Sequence, residues 1–497
     1  MRTTPEEMGL HSQNILNLLE RLEKENISVV SMMLLRHNQV LYEAYWPPYT
    51  QEQLRTVYSL SKTFTAMAIG IAAGEGKIRL DERIVDLFPE QAKNAPDSPQ
   101  LQMLTIRHLL MMSTGQGSEP FHQENAWDDA ISAFLREPFV DTPGETFRYN
   151  TGATYMLSAA LKQRGIDLEE YLRDKLLTPM GITGTRWIRD PNGICTGGFG
   201  FSLHPEDIAK LGILLMQSGR WNGQQLVPEW YVREATTRQI SSGDDPNSDW
   251  AQGYGYQCWM CRYPGSFRAD GAYGQFGVAF PDLDLIVILT TATEQTQEEL
   301  SALQEELIPY VKKEAGELPP SPLADAVKAR TADLALPPRR GTRNPFMEEK
   351  VSKHVYVSAP LMGNQQLPDS AEILIGGSGL FSLETSPIQE MRFAFGCDKM
   401  YWKVQEGGKE KEFVLSMRRD FAYSEADGHI YAGSAAWRTL NTLEMELRRM
   451  DGLSGGRMIV RFQKENLLLE AEDTLISVGG LGISPRQALT VFGIKKD

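Results

Sequence analysis

Helical and strand-like hydrophobic patterns follow one another at the start of the chain. Apolar residues recur at helical spacing over residues 12–24, and a continuous apolar run occupies 27–35. A polar turn signal at 36–39 separates this run from a second apolar segment at 40–46. The pattern therefore predicts an amphipathic helix followed by a hairpin of two buried strands.

Helical patterning then dominates until strands return near the end of the same region. A helix begins near Ser59, and about 80–240 is mainly helical. Two strand-like runs joined by a Pro-Asp turn lie near 268–291, and a last helix covers about 294–315. Because strands from both ends must share one sheet, residues 1–315 are predicted to form an α+β domain with helix–sheet–helix layers.

The pattern changes beyond this region. Six prolines bracket one short helical stretch in 316–351, which is therefore predicted to be a linker. From 352 to 497, apolar and polar residues alternate at strand spacing, with Gly407-Gly408 and Gly455-Gly456 as hairpin-turn signals. This part is predicted to be an antiparallel all-β domain, either a barrel or a sandwich.

Composition and charge narrow the classes of function. The hydrophobic content of 41% and aromatic content of 9% are typical of a soluble globular protein. A net charge of −15 argues against nucleic acid or an anionic membrane as a partner. The N-terminus has no apolar signal core, and no run approaches about 18 apolar residues, so a cytoplasmic location is expected.

Cofactor and metal motifs are missing from the sequence. It has no P-loop, no G-x-G-x-x-G opening a helix and no H-E-x-x-H, and Cys258–Cys261 is a single C-x-x-C without a second pair. We therefore expect no cofactor and no metal, and a small molecule as the partner. Association into a homo-oligomer stays open.

The first candidate chemistry is Ser59-Leu60-Ser61-Lys62, at the head of an apolar helix. A hydroxyl and an amine three residues apart share one helix face, which puts a weak nucleophile beside a base. The helix N-terminus also favours negative charge that develops next to Ser59. Taken alone, the motif has a plain alternative, in which Ser59 is an N-cap and Lys62 a solvated lysine.

Two downstream segments complete an ordered set. Phe147-Arg148-Tyr149-Asn150-Thr151-Gly152 follows a Pro-Gly turn, and Asp270-Gly271-Ala272-Tyr273-Gly274-Gln275-Phe276 leads into a buried strand. Together with Thr105–Gly115 and Gly197–Ser202, they resemble the penicillin-recognising serine hydrolases. That family includes class C β-lactamases, DD-peptidases, related esterases and 6-aminohexanoate-dimer hydrolases. The resemblance covers roughly residues 1–315.

The resemblance implies a role for each matching residue. Ser59 corresponds to the acylated nucleophile, Lys62 to the amine that helps to deprotonate it, and Tyr149 to a proton shuttle acting as phenol or phenolate. The backbone N–H groups of Ser59 and Ala272 correspond to an oxyanion hole. The positions that correspond to substrate contacts are Thr151, Asp270, Gly271 and Tyr273. For Tyr149, a core aromatic bonded to a buried carbonyl is the alternative.

Two positions depart from the family pattern. The family's Tyr-x-Asn or Tyr-x-Ser corresponds to Tyr149-Asn150-Thr151, which ends in a hydroxyl rather than a carboxamide. The family's Lys-Thr-Gly or His-Thr-Gly corresponds to Ala269-Asp270-Gly271, which lacks a cation for a substrate carboxylate. We therefore expect a serine hydrolase of the esterase or amidase kind, with weak or no β-lactamase activity. The alternatives are a true class C-like β-lactamase or DD-peptidase, and a non-catalytic binding or scaffold protein on the hydrolase fold.

Overall fold

The computed structural model describes residues 2–122, 126–312, 316–359, 388–406, 408–452, 455–473 and 489–496. The chain divides into two compact units, which consist of Met1–Trp46 with Thr50–Leu334 and of Pro47–Tyr49 with Ala335–Asp497. The division after Leu334 lies inside the segment that the sequence predicts as a linker.

The first unit combines many helices with one large sheet. Its α-helices are α1 Ser12–Lys24, α2 Ser61–Gly74, α3 Ile84–Leu87, α4 Pro89–Ala92, α5 Pro99–Met103, α6 Ile106–Leu110, α7 Ala130–Arg136, α8 Thr151–Gln163, α9 Leu168–Leu172, α10 Pro205–Met216, α11 Glu229–Ala235, α12 Thr296–Glu306 and α13 Ala324–Ala332. Its 3-10 turns are Glu6–Met8, Tyr58–Leu60, Pro120–His122, Ala126–Asp129, Pro281–Leu283 and Ile308–Tyr310, and the π-helical segment Arg173–Leu177 continues α9. Within the described ranges, no helix is long and apolar enough to cross a membrane.

The strands of this unit are β1 Val29–Arg36, β2 Gln39–Tyr45, β3 Arg55–Thr56, β4 Arg186–Trp187, β5 Phe201–Leu203, β6 Arg220–Trp221, β7 Gln224–Gln225, β8 Trp259–Met260, β9 Phe267–Gly271, β10 Gln275–Phe280 and β11 Leu285–Thr291. One antiparallel sheet has the order β2-β1-β11-β10-β9-β8. The N-terminal hairpin thus pairs with the late strand β11, for example Met33 with Ile288. This confirms the predicted sheet built from both ends of the region.

Helices cover both faces of the sheet. A Cβ at Gly212 of α10 would lie 2.9 Å from Ile286 of β11, so α10 packs on the face that carries Ile286. On the opposite face, Thr291 of β11 contacts Glu299 of α12 through a 3.0 Å hydrogen bond. All eight residues of β1 are buried because it lies inside this layered structure.

In the first unit, the described residues differ from the predicted elements at two points. The two strands expected near 268–291 are three, because the turn at 272–274 separates β9 from β10. The helix expected to reach 315 ends at Glu306, three residues before Pro309, whose missing N–H interrupts helical hydrogen bonding.

Helix α2 is the buried helix that carries the Ser-x-x-Lys motif. Its sequence is apolar on all sides, which is typical of a helix surrounded by protein, and twelve of its 14 residues are buried. Phe64 packs edge-to-face on Phe201, with ring centroids 5.1 Å apart. Gly70 faces the Tyr231 ring so closely that a Cβ would lie 2.4 Å from it. Packing along the whole length of α2 therefore fixes the position of its first turn.

The second unit contains helix α14 Pro345–Ser352 and strands β12 Val355–Ala359, β13 Glu390–Phe395, β14 Lys399–Glu406, β15 Lys409–Ser416, β16 Ala422–Ala426, β17 His429–Trp437, β18 Thr442–Arg449, β19 Gly455–Gln463, β20 Asn466–Asp473 and β21 Leu489–Lys496. They form one sheet in the order β15-β14-β13-β12-β21-β20-β19-β18-β17-β16. Ser416 of β15 also pairs with Ser434 of β17, so the sheet nearly closes into a barrel. Of the two predicted β architectures, the structure has the barrel-like one.

Alternation along β18 shows how the barrel is built. Leu443, Met445 and Leu447 belong to the apolar core. Glu444 and Glu446 have the opposite parity and therefore point to the other face, where Arg339 forms ion pairs with them at 3.1 and 2.6 Å.

One predicted turn of this unit is wrong. Gly455 and Gly456 begin β19, where they pair with Arg448 and Leu447 of β18, so the chain reverses before them. Glycine is compatible with a strand where the neighbouring strand comes close. Of the other predicted turn, Gly407 lies outside the described residues.

Replacing Phe64 with alanine tests the packing of α2. Phe64 is fully buried, so Phe64→Ala should lower the free energy of unfolding by about 3–5 kcal/mol through lost burial and a cavity. Met103→Ala, at a half-exposed position, is the control and should change it by less than about 0.5 kcal/mol. Denaturant titration of both variants gives the comparison, and equal stability of the two would contradict the packing described for α2.

Candidate active site

Ser59 lies in the 3-10 turn Tyr58–Leu60 that leads into α2. Tyr58 has a φ of 48°, in the left-handed region that non-glycine residues seldom occupy. The Ser61 hydroxyl donates to the Tyr58 carbonyl at 2.5 Å and accepts from the Phe201 N–H at 3.1 Å. These bonds fix the turn against β5, so Ser59 is presented at the helix start by a constrained backbone.

The Lys62 amine is buried beside Ser59. Its Nζ lies 3.1 Å from Ser59 Oγ, 2.7 Å from the Gly198 carbonyl oxygen and 3.4 Å from Thr151 Oγ1. Burial lowers the pKa of Lys62 to about 7, against the opposing attraction of two carboxylates. A neutral amine keeps two N–H donors for Gly198 and Thr151 and offers its lone pair to the Ser59 hydroxyl.

Tyr149 approaches Ser59 from the other side. Its ring centroid lies 5.0 Å from Lys62 Nζ, and an interaction with the Ser59 side chain opposes part of the rise in its pKa. The ring stacks on Trp259 at 5.8 Å. Although 38% of the residue surface is exposed, the hydroxyl end is enclosed by protein, and this desolvation raises the pKa of Tyr149. The group is therefore a protonated phenol at neutral pH.

The start of α8 brings Thr151 to Lys62. Asn150 caps this helix, since its side chain accepts from the Ala153 N–H at 3.1 Å. Glu119 accepts from the N–H groups of Thr151 and Gly152 at 2.5 and 3.1 Å. A carboxylate is stabilised at this position by the positive end of the helix dipole. Sequence reasoning missed Glu119, because it is 32 residues away from Thr151 in the chain.

Gly198 is a second residue that the motif analysis did not assign. Its carbonyl makes the shortest contact of the Lys62 amine, at 2.7 Å. A Cβ at this position would lie 2.8 Å from Thr151 Cγ2 and 3.3 Å from Lys62 Nζ, so only glycine permits this approach. The sequence match at Gly197–Ser202 indicated that this segment belongs to the family pattern. It did not indicate that the Gly198 carbonyl accepts a hydrogen bond from Lys62.

Gln257 joins three of the helices around the site. Its carbonyl accepts from Thr63 of α2 at 2.8 Å, and its side-chain oxygen accepts from Thr154 of α8 at 2.7 Å. Its side-chain nitrogen donates to the carbonyls of Leu109 and Leu110 of α6, at 3.0 and 2.9 Å. Gln257 was not recognised in the sequence, since a single glutamine in a loop carries no pattern.

The end of β9 lies against the Ser59 turn. A Cβ at Gly271 would lie 2.3 Å from the Val57 carbonyl oxygen and 3.2 Å from the Leu60 nitrogen. Ala272 follows in the turn at 272–274, and the Tyr273 ring packs edge-to-face on Tyr58 at 5.4 Å. Glycine at 271 is thus required for the sheet to approach the turn that holds Ser59.

Asp270 is paired with a buried arginine. Arg268 Nε donates to its carboxylate at 2.7 Å, and Arg268 Nη1 donates to the carbonyls of Asp249 and Met260 at 2.9 and 3.1 Å. Burial raises the pKa of Asp270, while Arg268 opposes this rise. The Arg268 side chain is fully buried, so this cation is engaged by the protein and not presented to a substrate carboxylate.

Of the predicted site residues, the structure brings Ser59, Lys62, Tyr149 and Thr151 into one group, and Gly271 and Tyr273 into contact with residues adjoining Ser59. The group combines a buried lysine with a partly exposed serine and tyrosine, beside the antiparallel sheet of an α+β unit. The Beta-lactamase family model matches residues 16–308. The match covers more than half of the chain, and the chain belongs to the Beta-lactamase family. The resemblance and the fold class predicted from the sequence are thereby confirmed.

Three similar proteins share low sequence identity with the chain. Monacolin J acid methylbutanoyltransferase of Aspergillus terreus is 24% identical over 159 residues, which span 28% of this chain and only 38% of that protein. The 6-aminohexanoate-dimer hydrolase of Paenarthrobacter ureafaciens is 22% identical over 310 residues, or 57% of this chain and 78% of that protein. The octameric penicillin-binding protein homologue from Pyrococcus abyssi aligns with a TM-score of 0.48 and 14% identity, over 97% of this chain and 99% of that one.

The pKa of Lys62 can be measured directly. Its side-chain NMR signal should titrate near pH 7, because burial disfavours the ammonium form. Glu119→Gln removes a charge that favours the ammonium, so it should lower the pKa of Lys62 further. Glu298→Gln, at an exposed acid in the first turn of α12, is the control and should leave the titration unchanged. A Lys62 signal that titrates near pH 10 would contradict the buried neutral amine.

Proposed function

We propose that the chain is a serine hydrolase that forms an acyl-enzyme on Ser59 and acts on small esters or amides. The observation that carries the proposal is the 3.1 Å contact between Ser59 Oγ and Lys62 Nζ, with the pKa of Lys62 lowered to about 7. At neutral pH a large fraction of this amine is uncharged, and an uncharged amine accepts a proton.

The proton path follows from the protonation states of the two bases. Lys62 takes the proton of Ser59 as Oγ forms its bond to the substrate carbonyl carbon. Tyr149, whose raised pKa keeps the phenol protonated, then gives its proton to the departing alcohol or amine and regains one from Lys62. In the second half of the cycle, the same groups deprotonate water and return the proton to Ser59 Oγ. Among the alternatives left by the sequence, these pKa directions favour Lys62 as the first base.

The developing negative charge on the carbonyl oxygen needs donors. The N–H of Ser59 lies at the start of α2, and the N–H of Ala272 belongs to the turn that packs beside it. Two such N–H groups would form the oxyanion hole, in which one donor contributes about 3 kcal/mol to lowering the barrier.

The substrate class follows from the charges beside Ser59. Ala269 stands where the resemblance puts the family's lysine or histidine. The neighbouring Asp270 brings a carboxyl group instead, and its partner Arg268 is held in the core. Glu119 adds a second carboxylate next to Thr151. This arrangement offers little attraction to a substrate carboxylate, so uncharged esters and amides fit it better than β-lactams or peptidoglycan stems.

Hydrolysis of a short-chain p-nitrophenyl ester tests the proposal. The wild-type chain should hydrolyse the ester, and Ser59→Ala should lower kcat/KM by about 10⁴-fold or more, as expected for loss of a nucleophile. Ser132→Ala removes a buried serine hydroxyl of α7 and should retain activity. A fluorophosphonate probe should label the wild type at Ser59. Ester hydrolysis that survives Ser59→Ala would overturn the assignment, and absence of labelling would favour the non-catalytic scaffold.

Turnover of nitrocefin separates esterase or amidase activity from β-lactamase activity. A like charge about 4 Å from the β-lactam carboxylate costs about 1–4 kcal/mol, depending on the local dielectric, and Arg268 reduces but does not reverse this repulsion. We expect kcat/KM for nitrocefin to be at least about 100-fold below that for the p-nitrophenyl ester. Ser59→Ala supplies the background rate. Nitrocefin turnover as fast as ester hydrolysis would favour the class C-like alternative.

A further inference from the structure

The turn at 272–274 is supported from behind by three buried side chains, Gln275, Thr291 and Glu299, which we name the backing layer. Glu299 and Thr291 are fully buried, and Gln275 is 1% exposed. They come from three elements, β10, β11 and α12. None of them belongs to the Ser59, Lys62 and Tyr149 group.

The backing layer binds the carbonyl groups of the turn. Thr291 Oγ1 lies 2.8 Å from the Tyr273 carbonyl oxygen, and Gln275 Nε2 donates to the same carbonyl at 3.1 Å. Gln275 Nε2 also donates to the Thr291 carbonyl at 2.8 Å, which ties β10 to β11. The orientation of the peptide units in the turn is therefore set by side chains that are inaccessible to solvent.

The Thr291 hydroxyl of the backing layer has two close partners but only one proton to donate. Thr291 Oγ1 lies 3.0 Å from Glu299 Oε2 as well as 2.8 Å from the Tyr273 carbonyl. A hydroxyl has one proton and a carbonyl can only accept, so for both contacts to be hydrogen bonds Thr291 donates to Tyr273. Glu299 must then donate to Thr291, which requires a protonated carboxyl group. Burial of Glu299 raises its pKa well above the ordinary range, which agrees with this assignment.

Steric contact adds to these hydrogen bonds. A Cβ at Gly274 would lie 2.0 Å from Thr291 Oγ1 and 2.1 Å from Glu299 Oε2. The turn thus touches the backing layer directly. On its other side, Gly271 touches the backbone of the Ser59 turn, where a Cβ would lie only 2.3 Å from the Val57 carbonyl oxygen. The turn is held between these two surfaces.

We propose that Thr291 and a protonated Glu299 are positioning residues, which set the orientation of the Ala272 N–H relative to Ser59. Both side chains are fully buried, so they do not touch a substrate and act through the Tyr273 and Gly274 backbone. The catalytic consequence rests on the proposed function, in which this N–H stabilises the oxyanion. A displacement of about 1 Å in such a site can lower the rate by about 10²-fold.

Five variants separate positioning from general stability. Thr291→Val and Glu299→Leu remove the donors, while Thr291→Ser and Glu299→Gln keep a hydroxyl and a neutral donor. Thr290→Val is the matched control, because Thr290 is the residue before Thr291 in β11. Its buried hydroxyl bonds to the Ser31 hydroxyl at 2.6 Å. Successive residues of a strand face opposite sides of the sheet, so the Thr290 hydroxyl lies on the face opposite that of Thr291 and bonds to Ser31 rather than to the turn.

The first measurement does not depend on activity. Labelling with 13C′-glycine and 15N-alanine selects alanines that follow glycine, and the sequence contains two such pairs, Gly152-Ala153 and Gly271-Ala272. Thr291→Val and Glu299→Leu should shift or broaden the Ala272 amide signal and leave that of Ala153 in place. The two conservative variants and Thr290→Val should keep both signals. An unchanged Ala272 signal in both Thr291→Val and Glu299→Leu would overturn the proposal.

The second measurement is the kinetics of p-nitrophenyl ester hydrolysis. Thr291→Val and Glu299→Leu should lower kcat by about 10–100-fold with KM within about twofold, and Glu299→Gln should restore kcat. A wild-type chain that is not acylated at Ser59 would refute the proposed function, while the Ala272 signal would still decide whether the layer positions the turn. If Glu299→Leu does not fold, the same test is made by comparing Thr291→Val with Thr291→Ser, in both the Ala272 signal and kcat. A shifted Ala272 signal with unchanged kcat would refute the catalytic consequence.

Discussion

Burial of the Lys62 amine is the interaction on which the rest of the site depends. Removal from water lowers the pKa of this group to about 7, and only an uncharged amine can accept the proton of Ser59. Such burial requires a helix that is surrounded by protein on all sides, which explains the apolar sequence of α2. It also requires an acceptor deep in the protein, and the Gly198 carbonyl supplies it at 2.7 Å.

Two carboxylates limit how far burial lowers the pKa of Lys62. Glu119 and Asp270 both favour the ammonium form, against the effect of desolvation. Each acid is held by its own partners, Glu119 by the N-terminus of α8 and Asp270 by the buried Arg268. Both charges that act on the amine are therefore held in place by the protein itself, which is the preorganisation that the proposed function requires.

The backbone around Ser59 and Lys62 is also constrained in conformation. Tyr58, Gln257 and Tyr273 all have positive φ angles, of 48°, 56° and 62°. Non-glycine residues in such conformations cost about 1–3 kcal/mol each and persist only where packing holds them. Here the hydrogen bonds of Ser61, Gln257 and the backing layer, together with the close approach at Gly271, supply that restraint. The positions of the Ser59 and Ala272 N–H groups thus follow from tertiary contacts.

The sequence by itself determined the features that depend on local geometry. The helix over 12–24, the hairpin that follows it and the placement of Ser59 and Lys62 one turn apart result from short-range periodicity, and the structure has all three. The resemblance likewise indicated that Ala269-Asp270-Gly271 lacks the family's lysine or histidine. Tertiary structure decided which distant residues meet. Tyr149 and the Gly198 carbonyl approach Lys62, Glu119 binds the start of α8, Gln257 joins three helices, and Glu299 touches the turn at 272–274. No local pattern encodes these contacts, because they depend on how helices and strands far apart in the chain pack together.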